Sequence, residues 1–470
     1  MQVLKVIFIF LEVLLLFNLL IFVHELGHFL AAKWRGLKVD RFAIWFGKPL
    51  WKKKINGVEY VLGTIPAGGY VALPQMATME VVEGKADTPV ESLPPISALD
   101  KIIVAVAGPL FSFLLALFFA VIVWIVGRPV SESETTTRIG YVVKDGPADK
   151  AGLKAGDRMV EVDHQPVTRF SGIGPTVMWR IVRSEGETLS VKVERDGKIL
   201  EFNPAPVKEP TKAWQRKSLR KIQIAPAEKA VVGGTMTNSP AAAAGLKKGD
   251  EVLELNGQKI FHPFVVEDFA EHHNGETLTL QVSNQGVVRE VRFVPEIPLS
   301  PPEAKPTTGI IWDLNSDMDL SHPGPIEQVG SSVMAMINTF GAVFSRKSDI
   351  KAQHLGGAVK ILSIYYILFE SDQGWRHAIW FSVLLNVNLA LLNILPFPVL
   401  DGGHITLALV EAIRRRPVSA KFLQYLQTTC AVLLIGYMLY IAFYDVQDVL
   451  PSRHRDTAEI KFAPKSEPPK

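Results

Sequence analysis

Residues 21–30 read IFVHELGHFL and set His24, Glu25 and His28 inside one of the most apolar stretches of the chain. On an α-helix, residues four apart share a face, so His24 and His28 stack one turn apart. At that spacing both imidazoles reach a single ion, the H-E-x-x-H arrangement. Imidazole nitrogen suits Zn²⁺, with bonds of about 2.0–2.1 Å. Glu25 lies about 100° around the helix from His24. It need not be a ligand, and it is free to take a proton from water and pass it to a leaving amine. That is the chemistry of amide hydrolysis.

Three ionisable groups in an apolar segment need compensation, because each costs on the order of 3 kcal/mol to insert into a bilayer. The bland alternative is an interfacial helix end whose polar groups reach water beside Lys33. Two histidines do not complete a catalytic zinc site, which usually has three protein ligands. The segment NLALLNILPFPVLDGGH at 388–404 offers Asp401 and, in competition, His404. Pro396 and Pro398 cannot continue a regular helix. A broken backbone at membrane depth is tolerated where protein or water surrounds it. Asn388 and Asn393 in the same stretch suit interhelical hydrogen bonding, or holding a substrate backbone and stabilising an oxyanion.

The elements that must position these residues are membrane elements. The chain has 470 residues, 48% hydrophobic and 21% charged, and its mean hydropathy is +0.20. The single cysteine, Cys430, excludes a disulfide framework or a four-cysteine metal site. A net charge of +3 gives no ground for a nucleic-acid partner. Apolar runs predict about four spans, at about 7–32, 102–126, 378–400 and 428–443, the last being the shortest. Basic residues after the first run (Lys33, Arg35, Lys38, Arg41) and after the third (Arg414, Arg415, Arg416, Lys421) predict that both lie in the cytoplasm. The segment between spans two and three, and both termini, then lie outside the cytoplasm. Glu12 reads as an interfacial carboxylate near the outer end of the first span.

That outer segment holds a repeat. GPADKAGLKAGDRMVEVDHQPV at 146–167 aligns with SPAAAAGLKKGDEVLELNGQKI at 239–260. Gly152 and Gly245 suit helix C-termini, the Gly156-Asp157 and Gly249-Asp250 pairs suit turns, and alternating strands follow. The pattern resembles the PDZ domain, which implies two small α+β domains at 135–207 and 225–297 that bind extended peptides by strand addition. A Pro-rich linker at 298–308 leads to an amphipathic helix over Pro325 to Phe344, and a loose tail is expected over 451–470.

H-E-x-x-H in a first span, L-D-G in a late span, and PDZ-like domains between resemble the site-2 protease family, peptidase M50, in its bacterial regulator-of-sigma-E branch. FGKPL at 46–50, IPAGGYVAL at 65–73 and VAGPLFSFLLA at 106–116 extend the likeness over almost the whole chain. The resemblance implies one Zn²⁺ per chain on His24, His28 and Asp401, with Glu25 as catalytic base. It links Asn393, Pro396 and Pro398 to substrate handling, and it implies that the β-rich loop at 39–73 dips back into the membrane. It also implies substrates that are single-pass membrane proteins, such as trimmed anti-sigma factors or remnant signal peptides, in a bacterial inner membrane. Ser112 departs from the Asn common in the family, as do Ala358 and Lys360 in HLGGAVKI at 354–361. These departures are expected to affect packing and partner contacts and to leave the metal set untouched.

The fold expected is therefore a polytopic α-helical membrane protein with a membrane-associated β-hairpin region and two extracytoplasmic α+β domains. Its core comes in two parts, 1–134 and 377–450, separated by the repeats and a linker at 298–376. The competing reading is a catalytically inactive membrane scaffold that binds peptides through its PDZ pair. Such a scaffold has no need to keep His24, Glu25, His28 and Asp401 together.

Overall fold

The apolar run that opens the chain becomes one 33-residue helix, α1 (Gln2–Trp34), about 50 Å long. The computed structural model describes residues 2–76, 93–94, 96–301, 303–314, 318–371, 373–416, 418–450 and 460–464. The chain divides into two units. The first comprises Met1–Arg128, Ser321–Asn338 and Leu355–Val449, and the second Pro129–Leu320, Thr339–His354 and Leu450–Lys470.

In the first unit, α2 (Ala98–Val126) starts at a capping box in which Ser97 accepts from the Asp100 amide and Asp100 accepts from Ser97. Between α1 and α2, four strands form a sheet: β1 (Arg41–Phe46), β2 (Trp51–Ile55), β3 (Val58–Leu62) and β4 (Ile65–Ala72). Their order is β2-β3-β1-β4, which leaves β4 at an edge. Asn56 and Gly57 take positive φ at 49° and 85° and join β2 to β3, the tight turn that dipeptide favours. A core of Phe29, Ala32, Phe42, Val58, Val71 and Val104 joins the sheet to α1 and α2.

Four more helices follow: α3 (Ala358–Glu370), α4 (Gly374–Asn393), α5 (Asp401–Arg414) and α6 (Ala420–Val449). Among the described residues, three helical stretches are long and apolar enough to cross a bilayer: Leu4–Trp34, Ala98–Val126 and Lys421–Val449. Two sequence expectations shift here. The run at 378–400 does not form one helix, because α4 stops at Asn393 ahead of Pro396 and Pro398, and α4 also carries Arg376 and three asparagines. The run at 428–443 is the middle of the 30-residue α6. Ala358 and Lys360 open α3, where the buried Asp445 carboxylate accepts from the Gly357 and Lys360 amides at 2.8 and 3.2 Å. A carboxylate on those orphan N–H groups caps the helix.

The second unit holds two α+β cores. One packs Ile139, Leu153, Met159, Phe170, Leu189 and Val193. The other packs Val232, Leu246, Val252, Leu278, Leu280 and Val291. Each has a one-turn helix beginning at proline, Pro147–Ala151 and Pro240–Ala243, followed by a strand, Arg158–Val162 and Glu251–Leu255. Both cores reach past the boundaries expected from the repeat. Ile224–Pro226 pairs with Ile139–Val142, and Ile310–Trp312 pairs with Ala230–Thr235. Strands of three residues carry too little periodicity to be read from sequence.

The Gly-Asp pairs do more than turn the chain. Asp157 and Asp250 are buried, each accepting a backbone amide three residues back, from Lys154 at 2.8 Å and Lys247 at 2.9 Å. Arg195 grips Asp157 at 2.6 and 2.7 Å, and Arg289 with Asn284 does the same for Asp250. A buried carboxylate needs such partners to remain charged. The helix expected over Pro325 to Phe344 forms with those ends. Most of the expected tail lies outside the described residues; of residues 460–464, Lys461 bridges to Ser300.

Candidate metal centre and active site

α1 carries His24 and His28 on the face that meets α2. The approach is close because small residues line it: a Cβ added at Gly27 would lie 2.4 Å from the Ala107 carbonyl oxygen, and one at Gly108 only 2.1 Å from His28 Nε2. Gly108 is thus the floor on which the His28 ring rests. Both rings are nearly buried, at 8% and 9% exposed.

Each histidine is held by its other ring nitrogen. His28 Nδ1 lies 2.8 Å from the Val104 carbonyl oxygen, which only accepts, so Nδ1 carries a proton and the neutral ring presents its lone pair at Nε2. His24 Nδ1 lies 2.9 Å from Ser112 Oγ, on a residue with no exposed surface. The two Nε2 atoms are then left 3.3 Å apart.

Asp401 meets them from the start of α5. Its Oδ2 lies 3.2 Å from His24 Nε2 and its Oδ1 3.3 Å from His28 Nε2. The turn that delivers it, 394–400, packs tightly on α5, since a Cβ at Gly402 would sit 2.1 Å from the Ile394 carbonyl oxygen. No larger residue fits there, which is what the glycine after Asp401 provides.

This donor set fits Zn²⁺. Two imidazole nitrogens and a carboxylate converge with one ligand atom each within 4.8 Å of the others. With both imidazoles neutral and protonated at Nδ1, nothing among the described residues donates a hydrogen bond to the buried Asp401 Oδ2. Acceptors facing one another repel unless a cation sits between them. Ligands at about 2.0–2.1 Å in a tetrahedron stand about 3.3 Å apart, which is the spacing found.

A cavity of about 310 Å³ opens on these groups. Glu25, Asn393 and His404 line it, with Gly68, Gly69 and Tyr70 of β4. β4 passes so near α1 that a Cβ at Gly69 would lie 3.0 Å from Glu25 Cγ. The expected site residues divide accordingly. His24, Glu25, His28, Asn393 and Asp401 share this cavity, and Asn388 does not line it. Pro396 and Pro398 line a neighbouring cavity of about 510 Å³ with Phe422 and Gln427.

A family model for peptidase family M50 matches residues 12–437. The chain belongs to that family. Regulator of sigma-E protease RseP of Escherichia coli (strain K12) is 26% identical over 454 residues, covering 91% of this chain and 96% of that protein. Regulator of sigma E protease of Haemophilus influenzae is 26% identical over 446 residues, covering 91% and 96%. A Vibrio cholerae protein provisionally named a zinc metalloprotease is 27% identical over 432 residues, covering 88% and 92%. Family and relatives together mark this M50 chain as a membrane protease, with zinc as the metal that the relatives' names point to.

Sequence reasoning misplaced one residue of this M50 site. Ser112 is expected from sequence to affect packing and partner contacts and to leave the metal set untouched, yet it is the hydrogen-bond partner of a candidate ligand. Hydropathy assigns an apolar helix to the membrane but does not say which of its faces meets His24. A serine among leucines and phenylalanines was the available signal. Second partners of this kind fix ring orientation and ligand basicity, and their loss typically weakens metal binding about 10–100-fold. Ser112→Ala is accordingly expected to weaken zinc affinity by roughly that factor while leaving the protein folded. Competition titration with a chelating dye checks this, and unchanged affinity would remove Ser112 from the account.

Proposed function

We propose that this chain is a zinc-dependent intramembrane endopeptidase that cuts single-pass membrane proteins within their apolar segments. One observation carries the reading: the convergence of Asp401 on His24 and His28 beside Glu25, the last three on a helix apolar enough to span a bilayer. In this reading His24, His28 and Asp401 hold one zinc. When bound, zinc supplies Lewis-acid polarisation of the scissile carbonyl and acidifies water.

The chain's own groups supply the rest. Glu25 takes a proton from the attacking water and delivers it to the leaving amine nitrogen, so one carboxylate serves as base and then as acid. Asn393, on the same cavity, offers an amide to hold the substrate backbone. The apolar walls, Ile21, Phe46, Leu389 and Val399, suit an apolar peptide and keep bulk water out. Pro396 and Pro398 act indirectly, by imposing the turn that presents Asp401.

A transmembrane substrate hides its amides in helical hydrogen bonds and must unwind before it can be cut. The edge strand β4 supports a way to hold the unwound segment, since an edge offers backbone donors and acceptors for strand addition. Proline introduced at Tyr70, clear of the positive-φ Gly68 and of Gly69 beside Glu25, is expected to cut turnover about tenfold or more while zinc content stays at the wild-type level. Unchanged turnover would remove strand pairing from the mechanism.

The two repeats in the second unit are read as PDZ-type domains outside the cytoplasm of a bacterial inner membrane, gating bulky outer domains or reading new C-termini. The spacing of the repeats supports the domain reading, and the bacterial relatives support the membrane. The overall test is to incubate purified protein in proteoliposomes with a single-pass substrate and map the products by mass spectrometry. A cut inside the substrate's apolar segment is expected; cuts confined to its water-exposed parts would overturn the reading.

A further inference from the structure

The described part of the C-terminal tail, residues 460–464, is docked. Lys461 forms an antiparallel bridge with Ser300. The Leu299 amide donates to the Lys461 carbonyl at 2.7 Å, and the Lys461 amide donates to the Ser300 carbonyl at 3.2 Å. Phe462 is 5% exposed, whereas its neighbours Ile460, Lys461, Ala463 and Pro464 are exposed.

The receiving surface is built for a ring. Gly309 has φ +72°, a conformation L side chains rarely adopt, and a Cβ there would lie 3.0 Å from the Phe462 ring and 2.3 Å from Ser239 Cβ. Ser239 itself is fixed, because its hydroxyl accepts from the Ala242 amide to cap the helix Pro240–Ala243. A side chain at 309 would fill the space where the ring sits.

We propose that this surface of the second repeat, formed by Ser239, Leu299, Ser300 and Gly309, is a peptide-binding site whose resident ligand is the chain's own tail. Its ligands are extended peptides carrying one aromatic anchor. The backbone is read through residues 299–300 and the anchor through the Gly309 cradle. The rest of the docked segment faces solvent, so the sequence around the anchor is free to vary. The tail is a poor candidate for ordering by itself, being rich in Pro, Lys and Arg with Phe462 as its one aromatic residue. What holds residues 460–464 in place is this contact.

A tethered ligand acts at an effective concentration in the millimolar range, so a free peptide competes with the tail only at comparable levels. Release of the tail opens the site to other peptides. The inference stands apart from the reading of the metal centre and uses none of its residues.

The test uses a fluorescein-labelled peptide of residues 456–466 and three forms of the full protein in detergent: intact, truncated after Leu450, and Phe462→Ala. Fluorescence anisotropy is expected to give at least tenfold tighter apparent binding to the truncated and Phe462→Ala forms than to the intact one. A peptide in which alanine replaces the phenylalanine should bind none of the three forms. Equal binding by intact and truncated protein, or equal binding of the alanine peptide, would overturn the proposal. Docking itself is checked in the intact chain by Ser300→Cys with Lys461→Cys on a Cys430→Ser background. Antiparallel partners are close enough for a disulfide. Rapid intramolecular crosslinking on mild oxidation is expected, and its absence would equally overturn the proposal.

Discussion

Asp401→Ala is expected to abolish zinc binding and cleavage together, with the helical fold retained. The carboxylate supplies two of the short distances in the cluster, 3.2 Å to His24 and 3.3 Å to His28. Loss of a ligand itself should exceed the roughly 10–100-fold weakening that follows loss of a ligand's hydrogen-bond partner. The fold tolerates the change because Asp401 is the first residue of α5, where an acidic side chain contributes only about 0.3–1 kcal/mol through the helix dipole. Asp401→Asn preserves shape but places an amide beside two acceptor nitrogens, so it should lose zinc nearly as completely. His404→Ala is the control: His404 lines the same cavity but lies outside the three-residue cluster, so its variant should keep zinc. Zinc content by mass spectrometry, with circular dichroism for the fold, decides. Asp401→Ala protein that keeps a full equivalent of zinc while His404→Ala loses it would reverse the assignment.

Glu25→Gln is expected to separate binding from chemistry. Glu25 faces the cavity but is not one of the converging ligands. Glutamine matches glutamate in size, which matters beside Gly69, where even an added Cβ would lie only 3.0 Å from Glu25 Cγ. Zinc content should therefore remain at the wild-type level. Loss of a general base typically removes about 10²–10⁴-fold of rate, and the fall should appear in kcat with KM nearly unchanged. Single-turnover cleavage of a single-pass substrate reads it directly. A variant that holds zinc and cleaves at the wild-type rate would show that another group moves the proton.

The legible and illegible parts of this protein follow from the range of the signals. His24 and His28 were readable because helical geometry converts a four-residue spacing into one face. Asp401 was not readable from spacing, since nothing local ties residue 401 to residue 24; the resemblance to a family supplied the link, and His404 competed until it did. The β-rich loop was legible through its Asn-Gly turn and alternating residues, but its order, with β4 at the edge against Glu25, depends on long-range pairing. Ser112 was misjudged because an apolar helix hides which side it turns to its neighbour. Asp157 and Asp250 looked like turn residues because their partners, Arg195 and Arg289, lie more than thirty residues on. In each case the missing information was a contact between residues far apart in sequence.

The most direct measurement is a zinc titration of chelator-stripped protein with cleavage as the readout. One zinc on His24, His28 and Asp401 predicts no cleavage at the start, a linear rise, and a sharp break at one equivalent per chain, with Glu25→Gln binding the same equivalent in silence. Cleavage that survives stripping, or a break that persists in Asp401→Ala, would contradict the account.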